Sequence, residues 1–349
     1  MNRARKLYEE IGAEAVLTKK SYLRLYLTGF ESSAGYVLSD RDKDVFFTDS
    51  RYTEAARKQL AGSGIEVKEM ERGMTIDDYL VGYKQLAIPF EQTLYPEFKR
   101  LSDKGFALVD SSEAFTQAMT IKTAEELARI QRACDIAEEA LQKLKGELRE
   151  GMTESEAAAL LEFHMRQGGA RETSFNTICC FGANGSQPHH ESDDTKLRFG
   201  DPVLIDFGCK VGGYCSDETR TFLFGDDHKH TEFKKAYASV LRAHNLVFEK
   251  AKAGMTGAEI DAIARSALAE DGLDKYFTHS LGHGIGINIH EHPTLSPRSV
   301  QHIVDGMVFS DEPGVYFDGQ FGIRIEDSCT MEGGRVRSLM TSSKELQII

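Results

Sequence analysis

The sequence predicts an α/β (α+β) chain of two domains: a small N-terminal α/β domain over residues 1–118 and a larger C-terminal domain over 119–349 made of two similar halves. Three observations carry this. The length of 349 residues gives room for roughly two domains of ordinary size. Up to about residue 118, short apolar runs alternate with helix-like stretches, the pattern of a small α/β domain. Beyond it, a Gly-Met-Thr block followed by Glu occurs twice, each time in the same order of helix, cap, strand and carboxylate.

In the first domain Ala15-Val-Leu-Thr, Gly35-Tyr-Val-Leu and Asp44-Val-Phe-Phe-Thr read as strands, and Thr53 to Leu60, rich in Ala, Arg and Lys, reads as a helix. The second domain opens with Thr123-Ala-Glu-Glu126, a capping box in which each side chain satisfies a free backbone donor. Leu127, Ile130, Cys134, Ala137, Leu141 and Leu144 then recur at helical spacing. That helix ends near Leu148. Gly151-Met152-Thr153 with Glu156 caps the next one, and Gly200 leads into an apolar strand ending on Asp206. The order repeats: a helix ending near Lys252, the block Gly254-Met255-Thr256 with Glu259, and Gly306 leading through an apolar run to Glu312. A duplication of this kind sets equivalent carboxylates face to face across a central cleft.

Composition narrows the function. Apolar residues make up 41% and charged residues 28%, with 31 Gly and 7 Pro, which excludes disordered, collagenous and coiled-coil chains. A formal charge of −13 argues against nucleic acid or an anionic membrane as the main partner. No apolar run has the ~18 residues of a membrane span, and the charged start Met-Asn-Arg-Ala-Arg-Lys has no apolar signal region. The six cysteines form no C-x-x-C pair and read as reduced core thiols of a cytoplasmic protein.

The chemistry lies in the second domain. Asp206, Glu312 and Glu326 abut apolar strand-like runs, and Asp217 stands in Tyr214-Cys-Ser-Asp-Glu-Thr-Arg220. Carboxylates so placed point into buried surroundings, where ionisation is costly without a cation or hydrogen-bond donors. Histidine completes the set: His279-Ser-Leu-Gly-His283-Gly-Ile-Gly286 runs on to His290-Glu-His292. His283 stands between Gly282 and Gly284, which let the backbone approach a site closely. His164, His228, His230, His244 and His302 read as ordinary surface or core residues. The run is not the zincin H-E-x-x-H helix, because Ser280 follows His279. Nor is it a dinucleotide loop, because Ile287 stands where the last Gly is needed. G-x-S-x-G and phosphate-loop patterns are missing from the sequence. Four carboxylates and one imidazole make a hard, oxygen-rich set that suits Mn, Co or Fe better than a thiolate-type zinc site.

The motifs Asp206-Phe-Gly, Ser216-Asp-Glu-Thr-Arg220, His279-Ser-Leu-Gly-His-Gly, Glu312-Pro-Gly and Arg324-Ile-Glu-Asp327 resemble those of the M24 metallopeptidases with the pita-bread fold. Leu27-Thr-Gly-Phe30 and Thr48-Asp-Ser-Arg-Tyr52 resemble the N-terminal domain shared by creatinase, prolidase and aminopeptidase P. The resemblance implies that Asp206 chelates a first metal, that Asp217 and Glu326 bridge two, and that His283 and Glu312 complete the second. It implies that His189, His279 and His290 surround the substrate and that Arg324 orients the site. Three positions depart from the family pattern. Phe181 replaces a small residue, and Ser310-Asp311 precedes Glu312, where Asp311 is expected to add negative charge beside the site.

The resemblance therefore implies a cytoplasmic dimetal exopeptidase. It would hydrolyse the Xaa-Pro bond at the N-terminus of small proline-containing peptides by a metal-bridging hydroxide, with Glu312 as general base. The Xaa-Pro aminopeptidase is preferred, with Xaa-Pro dipeptidase (prolidase) as the alternative. A non-catalytic pita-bread scaffold is the distant one, because scaffolds of that kind lose ligands that are all present here. Two divalent ions are expected, Mn(II) first, then Co, Fe or Zn. A homodimer is expected because relatives often form one.

Overall fold

A computed structural model describes residues 2–226 and 230–349; His228 lies outside them. The chain separates into a first compact unit that runs to Met119 and a second spanning Thr120–Ile349.

The first unit holds a six-stranded mixed sheet. Its strands are β1 (Ala15–Thr18), β2 (Tyr36–Asp40), β3 (Asp44–Thr48), β4 (Glu66–Glu69), β5 (Gln85–Ile88) and β6 (Ala107–Asp110), in the spatial order β4-β3-β2-β1-β5-β6. The helices α1 (Arg3–Ile11), α2 (Ser21–Thr28), α3 (Thr53–Gln59), α4 (Tyr95–Asp103) and α5 (Ser112–Thr120) accompany it. The central strands β1 and β3 are buried along their whole length, which explains why they read as unbroken apolar runs rather than alternating ones. Leu17, Leu38, Phe47, Leu86 and Ile88 form the core under them.

The second unit is built twice over. Helices α6 (Ala124–Glu147) and α7 (Glu154–Gln167) open the first half, and α8 (Thr231–Lys250) and α9 (Gly257–Glu270) open the second. The expected capping boxes close on α6, α7 and α9, through Thr123 with Glu126, Thr153 with Glu156 and Thr256 with Glu259. The strands of the first half are β7 (Glu172–Thr173), β8 (Ile178–Phe181), β9 (Pro202–Phe207), β10 (Cys209–Val211), β11 (Tyr214–Cys215) and β12 (Glu218–Leu223). Those of the second are β13 (Gly282–Gly284), β14 (Glu291–Leu295), β15 (Val308–Asp311), β16 (Gly314–Phe317), β17 (Phe321–Arg324), β18 (Asp327–Glu332) and β19 (Arg335–Ser338).

The halves match bond for bond in places. Strand β9 lies between β12 and β8, and β15 lies between β18 and β13, all antiparallel. Gly151 N–H donates to the Leu197 carbonyl and Leu197 N–H to that of Met152; Gly254 with Ile303 and Ile303 with Met255 repeat the pair. Each half also keeps its own core: Leu141, Leu161, Val203, Ile205 and Phe222 in one, Val240, Val247, Ile260, Phe309 and Ile323 in the other. The halves meet where Thr219 bridges Glu326, with the Glu326 N–H 3.0 Å from the Thr219 carbonyl. All six cysteines are buried and free. Among the described residues no helix is long and apolar enough to cross a membrane.

Candidate metal centre

Local patterning aims the carboxylates. On β9, Val203, Ile205 and Phe207 enter the core of the first half, so the two-residue period of a strand turns Asp206 to the opposite face. Ile325 and Cys329 do the same for the second half, and Glu326 points the other way. Asp217 and Glu326 occupy equivalent places, immediately before β12 and β18. The result is one cavity of about 900 Å³ lined by Asp206, Asp217, His283, Glu312 and Glu326, and also by His189, His279, His290 and Arg324. The structure thus gathers all the candidate residues in one place.

The distances are short. One ligand atom each from Asp217, His283 and Glu326 lies within 4.8 Å of the others. His283 Nε2 is 3.5 Å from Asp217 Oδ2 and 3.5 Å from Glu312 Oε1. Its Nδ1 faces the Gly284 carbonyl at 3.2 Å, which assigns the proton to Nδ1 and leaves a lone pair on Nε2. Burial and neighbouring His290 push its pKa down to about 4. Burial raises Glu312 to about 8. Asp217 and Glu326 are raised well above the carboxylate range, by burial first and then by each other's neighbourhood of carboxylates.

These groups fit a divalent cation. A neutral imidazole lone pair facing two carboxylates is repulsive unless positive charge stands between them. Asp206 Oδ1 is buried with no hydrogen-bond partner, although its Oδ2 takes Arg324 Nη2 at 2.5 Å. Carboxylate oxygens and one imidazole nitrogen form a hard donor set.

A second layer holds this set in place. Arg324 donates from Nε to Thr219 Oγ1 (3.0 Å) and from Nη1 to the Tyr316 hydroxyl (2.6 Å), while Thr219 Oγ1 donates to Glu326 Oε2 (2.5 Å). Burial alone would lower Arg324, but Tyr316 and the carboxylates hold it well above its usual value. Burial raises Tyr316 to about 12, so its hydroxyl keeps its proton and directs it to His279 Nε2, 2.9 Å away. His279 Nδ1 lies 2.8 Å from the Ser280 carbonyl, and burial lowers this ring to about 4. Both His279 nitrogens are therefore engaged. His290 is exposed and stands edge-on to His283 at 4.3 Å between ring centroids. His189 is exposed on the cavity wall.

Sequence reasoning missed Tyr316, Thr219 and the parts played by Glu218 and Asp327, and it expected Asp311 to stand beside the site. Glu218, Asp327 and Asp311 each neighbour a candidate ligand, yet Arg220 Nη2 pairs with Asp327 (2.7 Å) and Glu218 (3.3 Å), and His244 Nδ1 lies 2.8 Å from Asp311 Oδ2. Asp311 is thus buried against α8 and does not line the cavity. Phe181 is buried in the core of the first half. The glycines around His283 serve the flanking strands. A Cβ on Gly282 would stand 2.0 Å from the Ser310 carbonyl oxygen, and one on Gly284 would stand 2.2 Å from that of His292.

Comparison with known proteins adds three findings. Residues 128–332 match the profile of metallopeptidase family M24, and residues 1–118 match the creatinase/prolidase N-terminal domain. The chain is 35% identical to an uncharacterized peptidase of Bacillus subtilis, over 100% of this chain and 99% of that one. Among solved structures, an X-Pro aminopeptidase from Thermotoga maritima superposes with a TM-score of 0.92 at 32% identity, covering 99% of this chain and 100% of that one. An Xaa-Pro dipeptidase from Bacillus anthracis also gives 0.92, at 34% identity over 99% and 98%. Likeness alone does not separate the two activities.

Proposed function

The chain belongs to metallopeptidase family M24, and from that premise we propose that it is a dimetal exopeptidase releasing the N-terminal residue from peptides with proline second, an Xaa-Pro aminopeptidase. The observation that carries the choice over a dipeptidase is the cavity itself. At about 900 Å³ it sits near the upper end of the ~300–1,000 Å³ range of ligand pockets. Away from the candidate ligands, the histidines and Arg324, its lining holds Phe175, Asn176, Thr177, Ile289, Thr294 and Ser296, with Glu191, an acid, as the one charged side chain among the described residues. The arginine in the lining, Arg324, is committed to Asp206, Tyr316 and Thr219. A wall of this kind suits a continuing chain, whereas a dipeptide carboxylate calls for a free cation.

Asp206, Asp217, His283, Glu312 and Glu326 would hold the two divalent ions. When bound, the ions supply a water acidified toward neutral pH and polarise the scissile carbonyl. The remaining steps belong to the protein. Glu312, one oxygen of which accepts from Ser310 Oγ at 3.1 Å, takes up a proton at its other oxygen and passes it to the departing prolyl nitrogen. His279, expected beside the substrate, has no N–H to spare, so a hydrogen bond to the tetrahedral oxyanion is left to His189. His279 instead fixes Tyr316 and, through it, Arg324. His290 holds the substrate backbone on the prolyl side, and the acidic shell accepts the free amino terminus. Mn(II) remains the first choice of metal, and a cytoplasmic homodimer remains the expected state.

Assaying Ala-Pro and Ala-Pro-Ala with Mn(II), and again after chelation, tests the reading. Metal-dependent release of Ala and Pro-Ala from the tripeptide is the expected result. Cleavage of the dipeptide alone makes the protein a prolidase, and cleavage of neither by metal-loaded protein removes the proline specificity.

A further inference from the structure

We propose that His190, anchored by the buried carboxylate of Glu154, is the positioning residue that holds His189 in its working place. This rests on the role given to His189 above. His189 makes no hydrogen bond of its own among the described residues, so its ring is only as well placed as the backbone beneath it. That backbone is a tight turn: the His190 N–H donates to the Gln187 carbonyl at 3.2 Å. Pro188 therefore occupies the second position, where its fixed φ favours the bend, and His189 the third.

The fourth residue of the turn carries the anchor. His190 Nε2 lies 2.7 Å from Glu154 Oε2, and the two side chains are 9% and 0% exposed. Glu154 is the first residue of α7, where the free N–H groups of a helix start favour negative charge. It also accepts from the Phe181 N–H (2.7 Å), Asn184 Nδ2 (3.0 Å) and the Asp193 N–H (3.1 Å). One carboxylate therefore ties both ends of the loop that presents His189, and His190 is its tie nearest the turn.

Glu154, His190 and Asp193 also bring ligand-type atoms within 4.8 Å of one another, yet they do not read as a metal site. Each Glu154 oxygen already accepts two hydrogen bonds, and Asp193 Oδ1 accepts from the Thr195 N–H at 2.7 Å. The donors fill the lone pairs that a cation would need.

The test measures kcat and KM of Mn(II)-loaded enzyme on Ala-Pro-Ala for His189→Ala, His190→Ala, His190→Gln and the double variant His189→Ala/His190→Ala, with metal content and Tm alongside. The expected result is a kcat roughly tenfold or more lower in His190→Ala, with KM little changed and metal retained. The Gln variant, whose side-chain nitrogen can still reach Glu154, restores most of the rate. The double variant turns over no slower than His189→Ala alone. Losses that multiply in the double variant, or a Gln variant as slow as the Ala one, overturn the positioning role. Wild-type turnover in His189→Ala overturns the reading of His189 itself, and so differs from a slow His189→Ala whose losses multiply.

Discussion

At the scale of single residues, burial opposes ionisation of Asp217, Glu312 and Glu326 and protonation of His279 and His283. Replacing Asp217 or Glu326 with Ala should remove bound metal and activity together; full activity of either variant after dialysis against chelator contradicts the ligand assignment. The same groups make stability depend on pH in two opposed ways. Burial drops His279 and His283 from 6.5 to about 4, so below 6.5 the unfolded chain takes up protons that the fold refuses. Burial lifts Glu312 from 4.5 to about 8, so across that span the unfolded chain releases a proton that the metal-free fold keeps. From pH 6.5 to 8 the histidine effect is over and the carboxylate effect still grows, and the metal-free protein loses stability as pH rises. Bound metal displaces those protons. Melting temperatures in chelator and in Mn(II) should therefore diverge between pH 6.5 and 8, and curves that stay parallel contradict the assignment. The candidate ligands were legible because a carboxylate beside an apolar strand is chemically conspicuous. Tyr316, Thr219 and Glu154 were not, since a hydroxyl or a helix-start acid has many ordinary uses and its partner lies far away in sequence.

Elements differ in how openly the sequence declares them. Helices α6, α7 and α9 were legible from their Thr-to-Glu caps, and β9 and β15 from an apolar run after glycine. Helix α2 was not: its first flanking residue, Lys20, makes no side-chain cap, and burial of Leu23, Leu25, Tyr26 and Leu27 holds it instead. The hairpin of β16 and β17 was also missed, because strands this short become visible only once paired. Strand β13 owes its place to the missing side chains of Gly282 and Gly284. Gly282→Ala sets a methyl against the Ser310 carbonyl, so β13 must move and take His283 with it. The expected cost is about 1–3 kcal/mol, with loss of bound Mn(II). Gly146→Ala, near the end of α6, meets nothing within 4 Å and should stabilise by up to ~1 kcal/mol. Thermal melts with metal analysis check both, and a Gly282→Ala protein that keeps its metal contradicts the tight approach.

Across the whole second unit, duplication was legible because caps, strands and acids recur in order. What the repeat did not disclose is that each half keeps a separate apolar core and that the two join at the acids, through Thr219 and Glu326. That junction has a consequence in time. The Arg324 to Asp206 pair closes a span of 118 residues, and Thr219 to Glu326 one of 107. Contacts so distant along the chain form late, because the entropy of closing the loop is spent before they contribute. A metal that needs both halves therefore arrives after the rate-limiting step. Refolding rates should be the same in Mn(II) and in chelator, while unfolding should slow markedly once metal is bound. Stopped-flow refolding accelerated by Mn(II) would show instead that the ion gathers the acids before the halves are built. On the order of events that the fold implies, the ion is a lock fitted to a finished door.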